Sequence, residues 1–202
     1  GFCGAPWTVA CYMVDGRGKT GFPKARKMAE EAPEQMEAIT DALVTASLYY
    51  LRGQIEAGAQ AIQIFDSWAG YLEGDAFQRF CIRPVAALVR GLRDTHPHIP
   101  IIAFPRNMKG DMADYVAQTG IDCLALGTDV DLRQARKLDI CLQGNLDPEL
   151  LLQGGEAMKK AVKEIIQTLE TGPYVFNLGH GVIKETPPEH VNELIETIKN
   201  RN

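Results

Sequence analysis

Positive charge is in short supply in this sequence: 21 Lys and Arg stand against 26 Asp and Glu, for a formal net charge of -5. No basic surface can follow a phosphate backbone, so nucleic acid is not an expected partner. Long apolar runs are missing too. No 18-residue apolar stretch occurs, and the richest segment, 42–51, is broken by Thr45 and Ser47, so no membrane span is expected. No signal-peptide pattern opens the sequence. Cysteine is sparse: Cys3, Cys11, Cys81, Cys123 and Cys141 are odd in number and contain no Cys-x-x-Cys pair. That excludes a disulfide framework and gives no support for a zinc site. The thiols read as small apolar fillers in a reducing, cytoplasmic compartment.

What is present is alternation. Helices are predicted at 6–14, 23–31, 33–57, 75–93, 109–118, 131–137 and 156–170. Strands are predicted at 61–65, 100–104, 121–126, 140–143 and from Tyr174, with Asp15-Gly16-Arg17-Gly18 a loop. Asp147-Pro148 should cap the helix that follows it. Thr186-Pro187-Pro188-Glu189 has the pattern of a capping box with proline in the first turn, opening a last helix to about Lys199. Strand and helix alternate without a linker, which implies an α/β fold with a parallel sheet under helices. The length suits a single domain over residues 1–202. About six strand ends fall short of a closed eight-stranded barrel, which takes roughly 250 residues, so the expected architecture is an incomplete TIM-type (β/α)8 barrel. A Rossmann sheet is the competitor. Gly16-x-Gly18-x-x-Gly21 matches its glycine spacing but follows a helix instead of a strand, which discounts it. Gly1-Phe2-Cys3-Gly4 reads like the last residues of a strand without an initiator Met, so the sequence is expected to be the back part of a longer protein.

Three strand ends draw attention. Tyr174-Val175-Phe176 reads as a buried parallel strand that runs into Asn177-Leu178-Gly179-His180-Gly181, an imidazole between two glycines. The same grammar recurs at Ile64-Phe65-Asp66-Ser67-Trp68-Ala69-Gly70 and at Cys141-Leu142-Gln143-Gly144-Asn145-Leu146-Asp147-Pro148. Ligands gather at the carboxyl ends of parallel strands, so these segments suggest a shared pocket. Arg106, after the strand 100–104, is the basic residue placed to contact a substrate. Plainer roles compete at single positions: Ser67 as a helix cap, Asp66 in a cap or a strand-end hydrogen bond, and His96, His98 and His190 as solvated surface residues.

Taken in order, these segments resemble uroporphyrinogen decarboxylase. The resemblance rests on Gly1-Phe2-Cys3-Gly4-Ala5-Pro6-Trp7-Thr8, Tyr12-Met13-Val14-Asp15-Gly16 and Phe65-Asp66-Ser67-Trp68-Ala69-Gly70. It continues through Leu142-Gln143-Gly144-Asn145-Leu146-Asp147-Pro148, Asn177-Leu178-Gly179-His180-Gly181 and Thr186-Pro187-Pro188-Glu189-His190-Val191. It implies a (β/α)8 barrel and a cofactor-free, cytoplasmic, homodimeric decarboxylase of haem biosynthesis. That enzyme turns the four acetate side chains of uroporphyrinogen III into methyls, giving coproporphyrinogen III. Family site residues fall on Tyr12 (catalytic and substrate-binding), Ser67 and His180 (substrate-binding), and no metal is implied. Loss of CO2 from a pyrrole acetate needs ring protonation as the electron sink, an anion to stabilise the cationic ring, and arginines to hold the carboxylates. The family's arginine-rich segment and central aspartate lie upstream of anything that matches Gly1. The isolated chain is therefore expected to be inactive.

Two local departures stand out. Pro105-Arg106-Asn107 replaces the family's usual Lys-Gly pair, so Arg106 keeps the charge with different geometry. Ala125-Leu126-Gly127-Thr128-Asp129 replaces Gly-Leu-Asp-Trp-Thr and changes one mouth loop. Two alternatives stay open. A zinc-dependent corrinoid-type methyltransferase of the same superfamily would need a thiolate near the last strand, and no cysteine follows Cys141. A non-catalytic fragment is the other.

Overall fold

The computed structural model describes residues 1–16 and 21–200. Arg17 and Gly18 of the expected loop, and the middle glycine of the Rossmann-like spacing, lie outside the described residues. The chain comprises two compact units, Gly1–Cys123 and Leu124–Asn202.

In the first unit, β1 (Phe2–Gly4), β2 (Ile62–Asp66) and β3 (Ile101–Pro105) pair in parallel, with Cys3 opposite Ile64 and Ile64 opposite Ala103. The helices are α1 (Pro6–Asp15), α2 (Pro23–Glu31), α3 (Pro33–Glu56), α4 (Gly74–Phe77), α5 (Arg83–Arg93) and α6 (Met112–Thr119). Proline opens α1, α2 and α3, where its missing N–H has no helical partner to lose. Alternation along β2 puts Ile62, Ile64 and Asp66 on the fully covered face. Trp7, Leu88, Leu92 and Ile101 are buried in the same unit. Each such aliphatic side chain contributes about 1.5–3 kcal/mol by leaving water. Asp15, at the end of α1, serves the next helix: its two carboxylate oxygens accept the Lys24 and Ala25 N–H groups at 3.1 and 2.8 Å. These are first-turn donors of α2, which have no partner inside the helix.

One predicted helix is interrupted. Residues 75–93 were expected as a single run, but a π-helical turn at Gln78–Ile82 separates α4 from α5. Pro84 explains the change, because it has no N–H for the carbonyl four residues back and its ring crowds that turn.

The second unit continues the alternation with β4 (Cys123–Ala125, whose first residue closes the preceding unit), β5 (Cys141–Leu146) and β6 (Tyr174–Leu178). Its helices are α7 (Leu132–Ala135), α8 (Pro148–Gln153), α9 (Gly155–Leu169) and α10 (Pro188–Lys199). β5 and β6 pair in parallel, Gln143 opposite Val175, and the Leu126 N–H donates to Gln143 O at 2.8 Å. α9 buries Met158, Val162, Ile165, Ile166 and Leu169, the spacing of one helical face. Asp147 caps α8 as expected, its Oδ1 accepting the Glu149 N–H at 2.9 Å. Both units are therefore α/β, and the described residues hold six strands in all, two fewer than a closed eight-stranded barrel.

Three expectations fail in this unit. β6 is not a buried strand: its residues alternate between half-buried and exposed, and Val175 is 43% exposed. Its only strand partner among the described residues is β5, so one flank has no neighbour to cover it. Thr186 does not build a capping box. The residue capping α10 is Pro187, which has no side-chain acceptor, and the Thr186 hydroxyl is buried without a partner. The last expected feature, Pro188 in the first turn, holds. His190 is not a solvated surface residue. It is half-buried, with Nδ1 at 3.1 and 3.0 Å from the carbonyls of Leu151 and Leu152 at the end of α8.

Candidate functional site

The first unit carries an aromatic basin at the carboxyl end of β2. Tyr12, on the outer side of α1, packs edge-on to Phe22 and Trp68, with ring centroids 5.5 and 6.2 Å away. Phe22 lies 4.9 Å from Trp68 and 6.2 Å from Tyr71, and Trp68 stacks on Tyr71 at 5.7 Å. Phe22 is held at φ 46°, an uncommon conformation for a large side chain. Strain of about 1–3 kcal/mol persists only where packing holds it, and here Phe22 is 2% exposed with its ring in contact with the other three. Tyr12 stays 44% exposed, so its hydroxyl end can meet a ligand while its ring is anchored.

Beside this basin lies a cavity of about 170 Å³ lined by Ser67, Trp68, Gly70, Tyr71, Arg106 and Asn107. Its walls are set by backbone. Arg106 N–H donates to Asp66 O at 3.1 Å, and Arg106 O accepts the Gly70 N–H at 3.0 Å, so the basic residue is registered to the 66–70 loop. Gly70 has no room for a side chain, since a Cβ would lie 2.4 Å from Asn107 O. The Arg106 guanidinium has no ion-pair partner among the described residues. Ser67 is not a helix cap: the short helical turn at Ala69–Tyr71 begins after Trp68 and has no side-chain cap.

Asp66 points the other way, into the helix layer. It is 1% exposed, and its Oδ1 accepts the Thr8 hydroxyl at 2.7 Å, which bears out the strand-end hydrogen bond. Oδ2 has no hydrogen bond of good geometry, although the Cys81 thiol faces the carboxyl. Burial raises the Asp66 pKa to about 6, opposed by Thr8 and then Cys81. The neighbours respond in kind. Burial, then the Asp66 charge, pushes Cys11 and Cys81 up and raises the Tyr115 phenol. These thiols are inert as nucleophiles, because the thiolate is the reactive form.

In the second unit, His180 is exposed on the turn after β6, with Nδ1 accepting the N–H of Gly181. Gly179 before it is buried, and a Cβ there would lie 2.7 Å from Thr128 N. The altered mouth loop is pinned by Asn145, whose Nδ2 donates to Gly127 O and Val130 O at 2.7 and 3.1 Å.

Of the residues expected from sequence, Ser67 and Arg106 thus line one cavity and Tyr12 adjoins it through Trp68, while His180 belongs to the other unit. Sequence reasoning missed Phe22, Trp68 as a cavity wall, Thr8 and Asn145. Trp68 stood inside a motif and could have been found there. Thr8 and Asn145 stood inside motifs as well, but nothing local links Thr8 to its partner 58 residues away.

Residues 1–201 match the uroporphyrinogen decarboxylase (URO-D) family. The uroporphyrinogen decarboxylase of Granulibacter bethesdensis is 44% identical over 202 residues, covering 98% of this chain and 59% of the relative. That of Chelativorans sp. is 45% identical over 201 residues, with the same coverage of 98% and 59%. The chain thus spans about three fifths of the length of these relatives. A solved methyltransferase from Methanosarcina mazei superposes with a TM-score of 0.76 at 21% identity, covering 98% of this chain and 58% of the other. That likeness concerns the fold. With a match that runs through both units, the chain belongs to the uroporphyrinogen decarboxylase family.

Proposed function

We propose that this chain supplies substrate-binding surface for the decarboxylation of uroporphyrinogen III to coproporphyrinogen III in haem biosynthesis, as part of a cytoplasmic, homodimeric enzyme. The observation that carries the reading is the cavity shared by Ser67 and Arg106 under Trp68. Small-molecule pockets run to about 300–1,000 Å³. At about 170 Å³, this one suits a single carboxylate arm of a tetrapyrrole and not the macrocycle. Arg106 would hold that carboxylate through paired N–H donors, and Ser67 would add a hydroxyl hydrogen bond. The ring system would then lie against the exposed edge of the aromatic basin, with the Tyr12 phenol reaching it. His180, on its own exposed turn, is read from the family resemblance as a further contact to substrate carboxylates.

Asp66 is not the anion that stabilises the protonated ring. It is enclosed by the helix layer and engaged by Thr8, away from the cavity. The chain is therefore assigned binding and orientation, and decarboxylation by the isolated chain is expected to be absent. Titration with uroporphyrin III, followed by quenching of tryptophan emission, tests the reading. Saturable binding is expected, with Arg106→Ala weakening it on the order of thirtyfold, the scale of a lost charge-assisted hydrogen bond. No saturable binding, or equal affinity for Arg106→Ala, would overturn it. Coproporphyrinogen formed by the chain alone would overturn the assignment to binding only.

A further inference from the structure

The loop that walls the cavity is held from behind by two residues that the proposed reaction does not use. Trp68 is fixed at both of its backbone polar groups. Its N–H donates to Thr8 Oγ1 at 3.2 Å, and its carbonyl accepts Trp7 Nε1–H at 3.1 Å. A backbone N–H can only donate, so Thr8 must accept there, and its single hydroxyl proton is directed to Asp66 Oδ1 at 2.7 Å. The polarity of the chain Trp68 N–H, Thr8 O–H, Asp66 carboxyl is thereby forced. Thr8 is 4% exposed and Asp66 is 1% exposed, so water does not compete for either bond. Asp66 also passes its carbonyl to Arg106 N–H, which places the brace in register with the basic residue of the cavity.

We propose that Thr8 and Asp66 are positioning residues: the Asp66 carboxyl orients the Thr8 hydroxyl, and Thr8 fixes Trp68 so that Ser67 and the Trp68 ring face the cavity in one arrangement. The proposal rests on the substrate-binding reading given above. It makes the acceptor atom at position 66, and the hydroxyl at position 8, determinants of ligand affinity from the far side of the loop. The groups that face Asp66 are Thr8 and Cys11 from α1, Cys81 from the π-helical turn and Tyr115 from α6. None of these brings a cation, so the carboxyl has no alternative partner of opposite charge to pull it from Thr8.

The test uses two matched pairs in the 202-residue chain, with uroporphyrin III as probe. Thr8→Ser keeps the hydroxyl and Thr8→Val removes it at nearly the same volume; Asp66→Asn keeps an acceptor and Asp66→Ala does not. Thr8→Val and Asp66→Ala are expected to lose about tenfold in affinity, the scale of a buried group left unsatisfied, while Thr8→Ser and Asp66→Asn stay within about twofold of the unaltered chain. Trp7 and Trp68 are the two tryptophans of the sequence, so emission reports on the brace directly. It should shift in the two loss variants and not in the two conservative ones. Equal affinity and equal emission within each pair, at temperatures where all are folded, would overturn the proposal, since a purely structural role lowers the melting temperature alone. Should Thr8→Val not fold, Asp66→Ala against Asp66→Asn carries the test alone, and equal affinity and equal emission in that pair would overturn the proposal. Absence of binding by the unaltered chain would count against the substrate reading and not the brace. Amide exchange then decides: the Trp68 N–H must be protected with Thr8→Ser and exposed with Thr8→Val, and equal protection would overturn the brace.

Discussion

The strand ends after β2 and after β6 share one sequence grammar, an apolar run that empties into polar residues and glycine, yet they are built differently. After β2 the chain is enclosed on both sides. Asp66 is locked to Thr8 in the helix layer, and Trp68 is tethered at its N–H and carbonyl and stacked among Tyr12, Phe22 and Tyr71. After β6 the strand itself is half open, and His180 stands exposed on its turn with buried Gly179 behind it. The difference shows that the motif selects a place in the topology, while rigidity comes from neighbours that the motif does not contain. In the first unit those neighbours are α1 residues some 60 positions away.

The comparison can be broken most forcefully in the strands. Ile64→Ala in β2 should cost about 2–5 kcal/mol, as expected for a fully buried aliphatic residue. Val175→Ala in β6, at 43% exposure, should cost under about 1 kcal/mol. Denaturant midpoints at constant slope check both, and similar losses would mean that β6 is better covered than it stands here.

A smaller effect concerns pH. The Asp66 pKa is raised from 3.8 to about 6. The folded state therefore holds more protons between those values, and stability falls as pH rises through this window. Asp66→Asn should remove a loss on the order of 3 kcal/mol between pH 4 and pH 7, about 1.4 kcal/mol for each of two pKa units. Equal pH dependence in both proteins would show that the carboxyl is solvated.

The smallest effects separate two sequence signals that look alike. Asp147→Ala should cost about 1 kcal/mol because its carboxylate accepts the Glu149 N–H, whereas Thr186→Val should cost nothing and gain about 1 kcal/mol, because the hydroxyl it removes is buried without a partner. Thermal melts decide, and a loss at Thr186 would restore the capping box.

These contrasts also show what could be read before any coordinates. Alternation, proline in the first turns and the Asp147 cap were legible because each depends on residues within a few positions of one another. The π-helical turn depends on Pro84 crowding a carbonyl inside an otherwise good helical pattern, which period alone does not reveal. The openness of β6 was hidden because an apolar run looks the same whether one flank or two are covered. At the candidate site, Arg106 followed from its place at a strand end, and Ser67 from the family resemblance. The Thr8–Asp66 brace did not, since no local pattern links position 8 to position 66.

The central claim is that Ser67 and Arg106 receive one carboxylate arm of a tetrapyrrole beside the Tyr12–Trp68 basin. A crystal structure of the chain with uroporphyrin III measures this most directly. The account predicts a carboxylate in the cavity within about 2.7–2.9 Å of the Arg106 guanidinium, the macrocycle resting against the exposed edge of the basin. A tetrapyrrole bound elsewhere, with that cavity empty, would contradict it.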